Sequence, residues 1–212
     1  MIATFRKFLG PVIDFIVKLI GRIKWAQTSP ITPEDKAEIM AMLKDNYYII
    51  LTRRRNHLST QAIAFTNFLL TGKWGYYSHV LMNLEDEVPT VRDFRLMEAT
   101  SAGVHYSDFD TVFGSADGVC LMKPTTMAIE KWTSVLDYAK TCLGKPYDTL
   151  YDLANDNALS CVELVRTALM AEPDYEKNFA NFEAMIKRRK NLTPHMFYDC
   201  PDFEVVYEIR RR

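Results

Sequence analysis

A cysteine at the start of a predicted helix is the first residue in this sequence with a position suited to chemistry. Ser160 is a good helix-capping residue, and Cys161 opens the segment Cys-Val-Glu-Leu-Val-Arg that follows it. The free N–H groups and partial positive charge at the amino end of a helix stabilise a thiolate. Cys161 therefore fits a nucleophile for acyl transfer, and it also fits a buried structural thiol, because free cysteines are commonly found in cores.

The other three cysteines have less suitable settings. Cys120 lies inside an apolar segment, Cys142 lies near a predicted helix end, and no pair among the four, with Cys200, has CxxC spacing. Four cysteines in 212 residues are too few for a disulfide scaffold. We predict a reduced protein without structural zinc. The sequence also has no Gly-rich phosphate loop, HExxH helix or Asp-rich calcium loop, so we expect no metal and no cofactor.

A thiol nucleophile needs a base, and a neutral imidazole is the usual one. His79 stands at the beginning of the predicted strand His-Val-Leu-Met-Asn-Leu, where a strand end can face a cleft. His105 follows Gly103 after a second predicted strand and is the next candidate. His57 and His195 are predicted to lie on the surface.

The base in turn needs an acceptor that orients it, and Glu98 is the candidate. In Phe-Arg-Leu-Met-Glu-Ala (94–99), strand alternation places Glu98 on the same face as Phe94 and Leu96. Burying a carboxylate there costs free energy unless a histidine donates a hydrogen bond to it. The alternative is that the strand frays and Glu98 is solvated.

The elements that would position these residues are interleaved without regular alternation, and the strands form hairpin-like pairs. The pattern predicts an α+β fold with an antiparallel sheet packed against helices. Helices are predicted over 33–44, 59–70, 126–143, 160–171 and 175–190, and strands over 47–52, 79–84, 95–99, 119–122 and 203–209.

Composition limits the classes of function. The chain has 48% hydrophobic residues, enough for the core of one ordinary domain with a short appendage. Its 26 Lys and Arg residues are balanced by 27 Asp and Glu residues, so no global field attracts a polyphosphate, and we expect no nucleic-acid partner. The short basic runs are interpreted as solvated surface.

The first 25 residues form an apolar segment with cations inside it. Apolar residues recur at helical spacing, whereas charged residues such as Lys7, Asp14 and Lys18 break any run long enough to cross a bilayer. We predict an amphipathic helix that packs on its own domain, on a neighbouring subunit or on a lipid surface. Residues 1–30 are thus an arm and linker, and residues 31–212 form the main domain. A signal peptide is not clearly present.

Several motifs occur in an ordered series that resembles a known family. They are a leading strand (46–52), Tyr-Ser-His-Val (77–80), Met-Glu-Ala (97–99), Gly-Lys-Pro-Tyr-Asp (144–148), Ser-Cys-Val-Glu-Leu-Val (160–165) and Cys-Pro-Asp-Phe-Glu-Val-Val (200–206). Together they resemble the circularly permuted branch of the papain-like, NlpC-type cysteine hydrolases, which contains YiiX-like proteins and, more distantly, lecithin retinol acyltransferase. The resemblance implies a permuted papain-like fold, in which the histidine strand precedes the cysteine helix.

The resemblance also implies roles for individual residues. It makes Cys161 the nucleophile, His79 the base and Glu98 the orienting third member. Three further residues are expected beside the substrate: Tyr77, Tyr147 as a wall of the cleft, and Asp148 as a backbone-binding or capping group. The Tyr-Asp pair after Gly-Lys-Pro is equally compatible with simple turn chemistry.

The function expected from the resemblance is a cysteine hydrolase that cleaves an amide bond, with a cell-wall peptide as first choice of substrate. A lipid acyl hydrolase or acyltransferase at a membrane surface is the alternative. A non-catalytic structural component of a virus particle or tail, which retains the fold, is the third. The partners would be the peptide or acyl substrate and, through residues 1–25, a membrane surface or a protein assembly in an envelope or virion.

Overall fold

The computed structural model describes residues 30–44, 46–54, 58–84, 95–149, 153, 157–189 and 191–211. The amphipathic helix predicted over residues 1–25 lies outside the described residues. In the described part of the chain, no helix is long and apolar enough to cross a membrane.

Helices and strands alternate irregularly along the chain. The helices are α1 (Pro33–Lys44), α2 (Leu58–Thr71), α3 (Phe109–Phe113), α4 (Trp132–Thr141), α5 (Cys161–Leu169), α6 (Tyr175–Asn178), α7 (Ala180–Arg189) and α8 (Pro194–Asp199). The strands are β1 (Ile49–Arg53), β2 (His79–Asn83), β3 (Leu96–Thr100), β4 (Gly103–Ser107), β5 (Gly118–Pro124) and β6 (Phe203–Arg210).

The six strands form one sheet in the order β4-β3-β2-β1-β5-β6, and every neighbouring pair is antiparallel. The prediction of an α+β fold with an antiparallel sheet packed against helices is therefore confirmed. Sequence order and sheet order differ at β1, which lies in the middle between β2 and β5. The central position of β1 agrees with its β-branched residues Ile49, Ile50 and Thr52, which suit a strand covered on both faces.

Helices cover both faces of the sheet. Alternate residues of β1 point to opposite sides, so Ile50 belongs to one buried cluster and Ile49 and Leu51 belong to the other. The first cluster is completed by α1 and α3, and the second, larger one by helices α4 to α8. The chain thus buries two cores, and α5 packs in the larger one.

Three elements were not predicted, and two predicted helices differ from the observed ones. Residues 103–107, 109–113 and 194–199 form β4, α3 and α8, all too short or too polar to show a clear apolar period. A 3₁₀ turn over Ile129–Lys131 precedes α4, so the helix predicted from residue 126 starts later. The helix predicted over 175–190 is divided at Phe179 into α6 and α7.

Candidate active site

Strand pairing brings His79 and Glu98 together. His79 is the first residue of β2, and the antiparallel partner strand β3 carries Glu98. Nε2 of His79 lies 2.6 Å from Oε2 of Glu98. The Glu98 side chain is 5% exposed, whereas the His79 side chain is 24% exposed. The carboxylate is thus a buried acceptor that holds the ring of His79, and the ring still reaches the surface.

Two residues of β4 support Glu98 from its other side. The hydroxyl of Ser107 donates a hydrogen bond to Oε1 of Glu98. Nε2 of His105 lies 3.7 Å from the same oxygen, and Nδ1 of His105 donates to the carbonyl of Gly103 over 2.9 Å. Sequence reasoning missed Ser107 because no strand was predicted there. Strand alternation over 103–107 would have placed His105 and Ser107 on one face.

The electrostatics of the pair favour charge on both groups. Burial raises the pKa of Glu98, but the hydrogen bond and positive charge of His79, the Ser107 hydroxyl and the charge of Arg54 outweigh it and lower the pKa to about 2. Burial lowers the pKa of His79, but its hydrogen bonds with Cys161 and Glu98 outweigh it and raise the pKa to about 10. The ring of His79 is therefore an imidazolium at neutral pH.

The cysteine stands at the first position of α5, as the sequence predicts. Ser160 is the N-cap residue: its side chain accepts from the N–H of Glu163, and the Glu163 carboxylate accepts from the N–H of Ser160 over 2.7 Å. This reciprocal pair is a capping box, and its Ser-x-x-Glu spacing is visible in the sequence. It fixes the direction in which the chain enters the helix, and with it the position of Cys161.

The thiol of Cys161 lies close enough to the ring of His79 to raise the pKa of that ring. Because Nε2 of the ring is engaged by Glu98, Nδ1 is the atom left for the sulfur. Cys161 is 3% exposed and its helix packs against β2 and β3. The structure therefore places the three predicted residues, Cys161, His79 and Glu98, close together.

The three residues expected beside the substrate have different surroundings. Tyr77 is fully buried and its hydroxyl donates to the Glu208 carboxylate on β6, so it anchors the segment that leads into His79. Tyr147 is partly buried and packs against the larger core. Asp148 is 5% exposed and lies beside the carboxyl group of Glu163. Tyr77 and Asp148 thus support the site from within the protein.

The contact of Asp148 with Glu163 changes the protonation of the capping box. Burial, with the neighbouring negative charge of Asp148, raises the pKa of Glu163 above its ordinary value. The capping carboxyl group of Glu163 at the amino end of α5 therefore keeps its proton to a higher pH than an ordinary glutamate does.

The remaining cysteines and His195 lie away from this chain of contacts. Cys120, Cys142 and Cys200 are buried and form no disulfide. Burial raises the pKa of the Cys120 thiol, and of the Cys200 thiol, to about 12. The prediction that His195 lies on the surface was wrong, because α8 packs it against Tyr198 at a ring distance of 5.3 Å and leaves it 8% exposed.

A comparison with solved structures finds the metalloprotein YiiX from Escherichia coli O157:H7. The two chains superpose with a TM-score of 0.56 and 18% sequence identity, over 79% of this chain and 99% of the YiiX chain. The chain has a fold like that of YiiX. At this identity the likeness shows the fold alone, and it agrees with the fold that the sequence motifs imply. No protein-family model matches the sequence, and no curated protein matches it significantly.

The arrangement can supply a thiol nucleophile, an imidazole and a buried carboxylate. Among the residues that the structure describes, no group of three or more His, Cys, Asp or Glu side chains is placed to hold a metal ion.

Proposed function

We propose that this protein is a cysteine hydrolase that works by acyl transfer, with Cys161 as nucleophile, His79 as acid and base, and Glu98 as the residue that orients His79. The observation that carries the proposal is an imidazole held by a buried carboxylate and close enough to the Cys161 thiol for that thiol to raise its pKa. An imidazolium held at neutral pH stabilises a neighbouring thiolate, which is the reactive form of cysteine.

In the first step the Cys161 thiolate attacks the carbonyl carbon of an amide or ester, and the carbonyl oxygen takes the negative charge. The N–H groups of Cys161 and Val162 in the first turn of α5 have no acceptor within a regular helix, so they are the donors for that oxyanion. The N–H of Glu163 is already used by Ser160.

In the second step the C–N or C–O bond breaks, and the His79 imidazolium gives its proton to the departing amine or alcohol. The thioester left on Cys161 is then hydrolysed. The now neutral His79 takes a proton from water, the resulting hydroxide attacks the thioester carbonyl, and Cys161 leaves as the thiolate. Glu98 remains ionised throughout and keeps the ring in place. No step involves a metal ion.

A peptide amide, as in bacterial cell walls, is the first choice of substrate, and the sequence resemblance to cell-wall hydrolases supports it. A lipid acyl group is the second choice. One observation favours it: four large apolar side chains lie exposed on α2 and the segment that leads to His79. The structural-component alternative requires a site that does not react.

The experiment that tests the proposal is hydrolysis of two fluorogenic substrates, an amino-acyl amide and a fatty-acyl ester, by the full chain. We expect Cys161→Ala to abolish turnover, while Cys142→Ala, a matched buried cysteine, retains it. Turnover by the Cys161→Ala variant equal to that of the wild type would refute the assignment. Faster turnover of the amino-acyl amide would favour peptide chemistry, and faster turnover of the fatty-acyl ester would favour lipid chemistry.

A second measurement separates the hydrolase from a non-catalytic relative. The rate of alkylation of Cys161 by iodoacetamide at neutral pH should be higher in the wild type than in His79→Ala, because a neighbouring imidazolium stabilises the reactive thiolate. Identical rates for the two proteins would mean that sulfur and ring are not coupled, as expected for a purely structural component.

A further inference from the structure

An aromatic patch, defined as Phe65, Phe68, Leu69 and Trp74, lies exposed on the protein. These side chains are 46%, 38%, 66% and 59% exposed. Phe65, Phe68 and Leu69 share one face of α2 because they are spaced by three and four residues. The ring of Trp74 lies 5.8 Å from that of Phe65 and 5.3 Å from that of Phe68. Such a contiguous apolar surface is unusual on a protein that binds nothing.

The patch rests on a fixed base. The side chain of Asn67, on the opposite face of α2, donates to the carbonyl of Lys73 over 2.9 Å and accepts from the Thr193 hydroxyl over 2.8 Å. Gly75 lies so close to Asn67 that a Cβ on it would approach the Asn67 side chain to 2.9 Å. The backbone on both sides of Trp74 is therefore held, and its indole is presented outward by the packing beneath it.

The segment that carries the patch has charged residues of one sign. From Arg53 to Ser78 the sequence contains four cations and no acidic residue, although acids slightly outnumber cations in the whole chain. Lys73 is exposed next to Trp74, and the guanidinium of Arg53 lies 4.3 Å from the centre of the Tyr76 ring. A patch of Trp, Phe and Leu with cations beside it matches a surface that is apolar inside and negatively charged outside, as an anionic bilayer is.

The amino-terminal arm joins the domain near Arg53, at the end of β1 that leads into the segment carrying the patch. The N–H of Ile31 donates to the carbonyl of Ala116 over 2.9 Å, and the N–H of the next residue, Asp117, donates to the carbonyl of Arg53 over 3.0 Å. Residues 1–25 carry five cations and one acid among apolar residues at helical spacing. The arm and the segment with the patch are both positively charged, and their repulsion disfavours packing of the arm on the patch. An anionic surface attracts both.

We propose that the aromatic patch binds an anionic lipid bilayer, with Trp74, Phe65, Phe68 and Leu69 inserted at the level of the headgroups. Four residues separate Trp74 from His79, so a bilayer at the patch lies beside the candidate active site. This binding does not depend on hydrolysis, and a protein inactive on every substrate would still show it.

The test uses the tryptophans as probes in the full chain carrying Trp25→Phe. Only Trp74 and the buried Trp132 then emit. We expect vesicles of phosphatidylglycerol with brominated phosphatidylcholine to quench Trp74, and Trp74→Phe in the same background to remove that quenching. If the protein floats with the vesicles but Trp74 is not quenched, the proposal is overturned, because the arm alone would then bind the membrane.

Variants supply an independent measurement. The double variant Phe68→Ser with Leu69→Ser should lower the partition coefficient onto these vesicles about tenfold, because two apolar side chains no longer leave water. The matched control is Val205→Ser with Val206→Ser, a comparably exposed pair on β6, which should bind as the wild type does. Equal partitioning of both double variants would overturn a lipid role of the patch in favour of the arm. An oligomer that dissociates only in the Phe68→Ser, Leu69→Ser variant would overturn it in favour of a protein partner.

Discussion

At the scale of single residues, the site depends on a carboxylate that stays charged inside the protein. Glu98 accepts from His79 and Ser107, and these contacts offset the cost of burying it. Alternation within one strand predicted that Glu98 would need such a partner. It did not predict Ser107, and it did not place His105, the second candidate base, beside Glu98, because both come from a strand that only its pairing with β3 defines.

Replacing Glu98 by Gln tests its role in orienting His79. The amide keeps the shape but loses the charge, so we expect kcat/KM to fall about 100-fold and the His79 pKa to fall below its wild-type value. The ring can be followed by NMR titration of ¹³C-labelled histidine. The matched control is Glu38→Gln, which removes a carboxylate hydrogen bonded to Tyr207 and should alter neither quantity. An unchanged His79 titration in Glu98→Gln would contradict the role.

The same pair makes stability depend on pH in a defined window. Glu98 has a folded pKa of about 2 against 4.5, so its contribution is complete above about pH 4.5 and is lost as pH falls toward 2. His79 has a folded pKa of about 10 against 6.5, so its contribution is complete below pH 6.5 and is lost as pH rises toward 10.

The difference in free energy of unfolding between the wild type and Glu98→Gln should therefore be largest between about pH 4.5 and 6.5 and smaller on either side. Urea denaturation at about pH 3, 5.5 and 9 measures this difference in free energy of unfolding. If this difference in free energy of unfolding instead grew steadily from acidic to basic pH, Glu98 would not raise the pKa of His79.

At the scale of elements, the amino end of α5 connects stability with the position of the thiol. The capping box of Ser160 and Glu163 has a counterpart in α1, where the N–H of Asp35 donates to Thr32 Oγ1 over 3.2 Å and the N–H of Thr32 donates to Asp35 over 2.8 Å. Only the first box adjoins Cys161.

Removing each cap separates the two effects. Ser160→Ala and Thr32→Ala should each lower the free energy of unfolding by about 1 kcal/mol, measured by urea denaturation. Only Ser160→Ala should also slow the alkylation of Cys161, because the thiol shifts with the start of its helix. Equal alkylation rates in the two variants would show that the cap does not position the sulfur.

At the scale of the whole molecule, the arm and the domain are expected to be separable near residue 30. Ile31 is 4% exposed and belongs to the smaller core, together with Ile39 and Leu43 of α1. Because the smaller core already includes Ile31, we expect the domain to be complete from Pro30 onward.

Two truncations test this boundary. A chain that starts at Pro30 should keep its thermal midpoint and its turnover of a soluble substrate. A chain that starts at Asn46 lacks α1 and its two buried residues, and should unfold at a midpoint lower by 10 °C or so, since each lost core side chain costs roughly 2–5 kcal/mol. Thermal unfolding followed by circular dichroism measures both. A large loss of stability in the first chain would place the boundary further toward the amino terminus.

The sequence by itself determined the features that depend on local order along the chain. A capping serine before an apolar helical period placed Cys161 at a helix start, and alternation placed His79 and Glu98 on strands, because these signals are carried by neighbours within a few residues. The interleaved pattern of helical and strand segments predicted the α+β architecture, with which the sheet and the likeness to YiiX agree.

Only the tertiary structure decided which residues meet. His79 and Cys161 are far apart in sequence, and their contact depends on α5 packing across β2 and β3. Ser107, Asp148 and the aromatic patch likewise acquire their surroundings from strand register and helix packing. Those contacts arise from burial and hydrogen bonding between distant segments, whose free energies have no counterpart in the local sequence pattern.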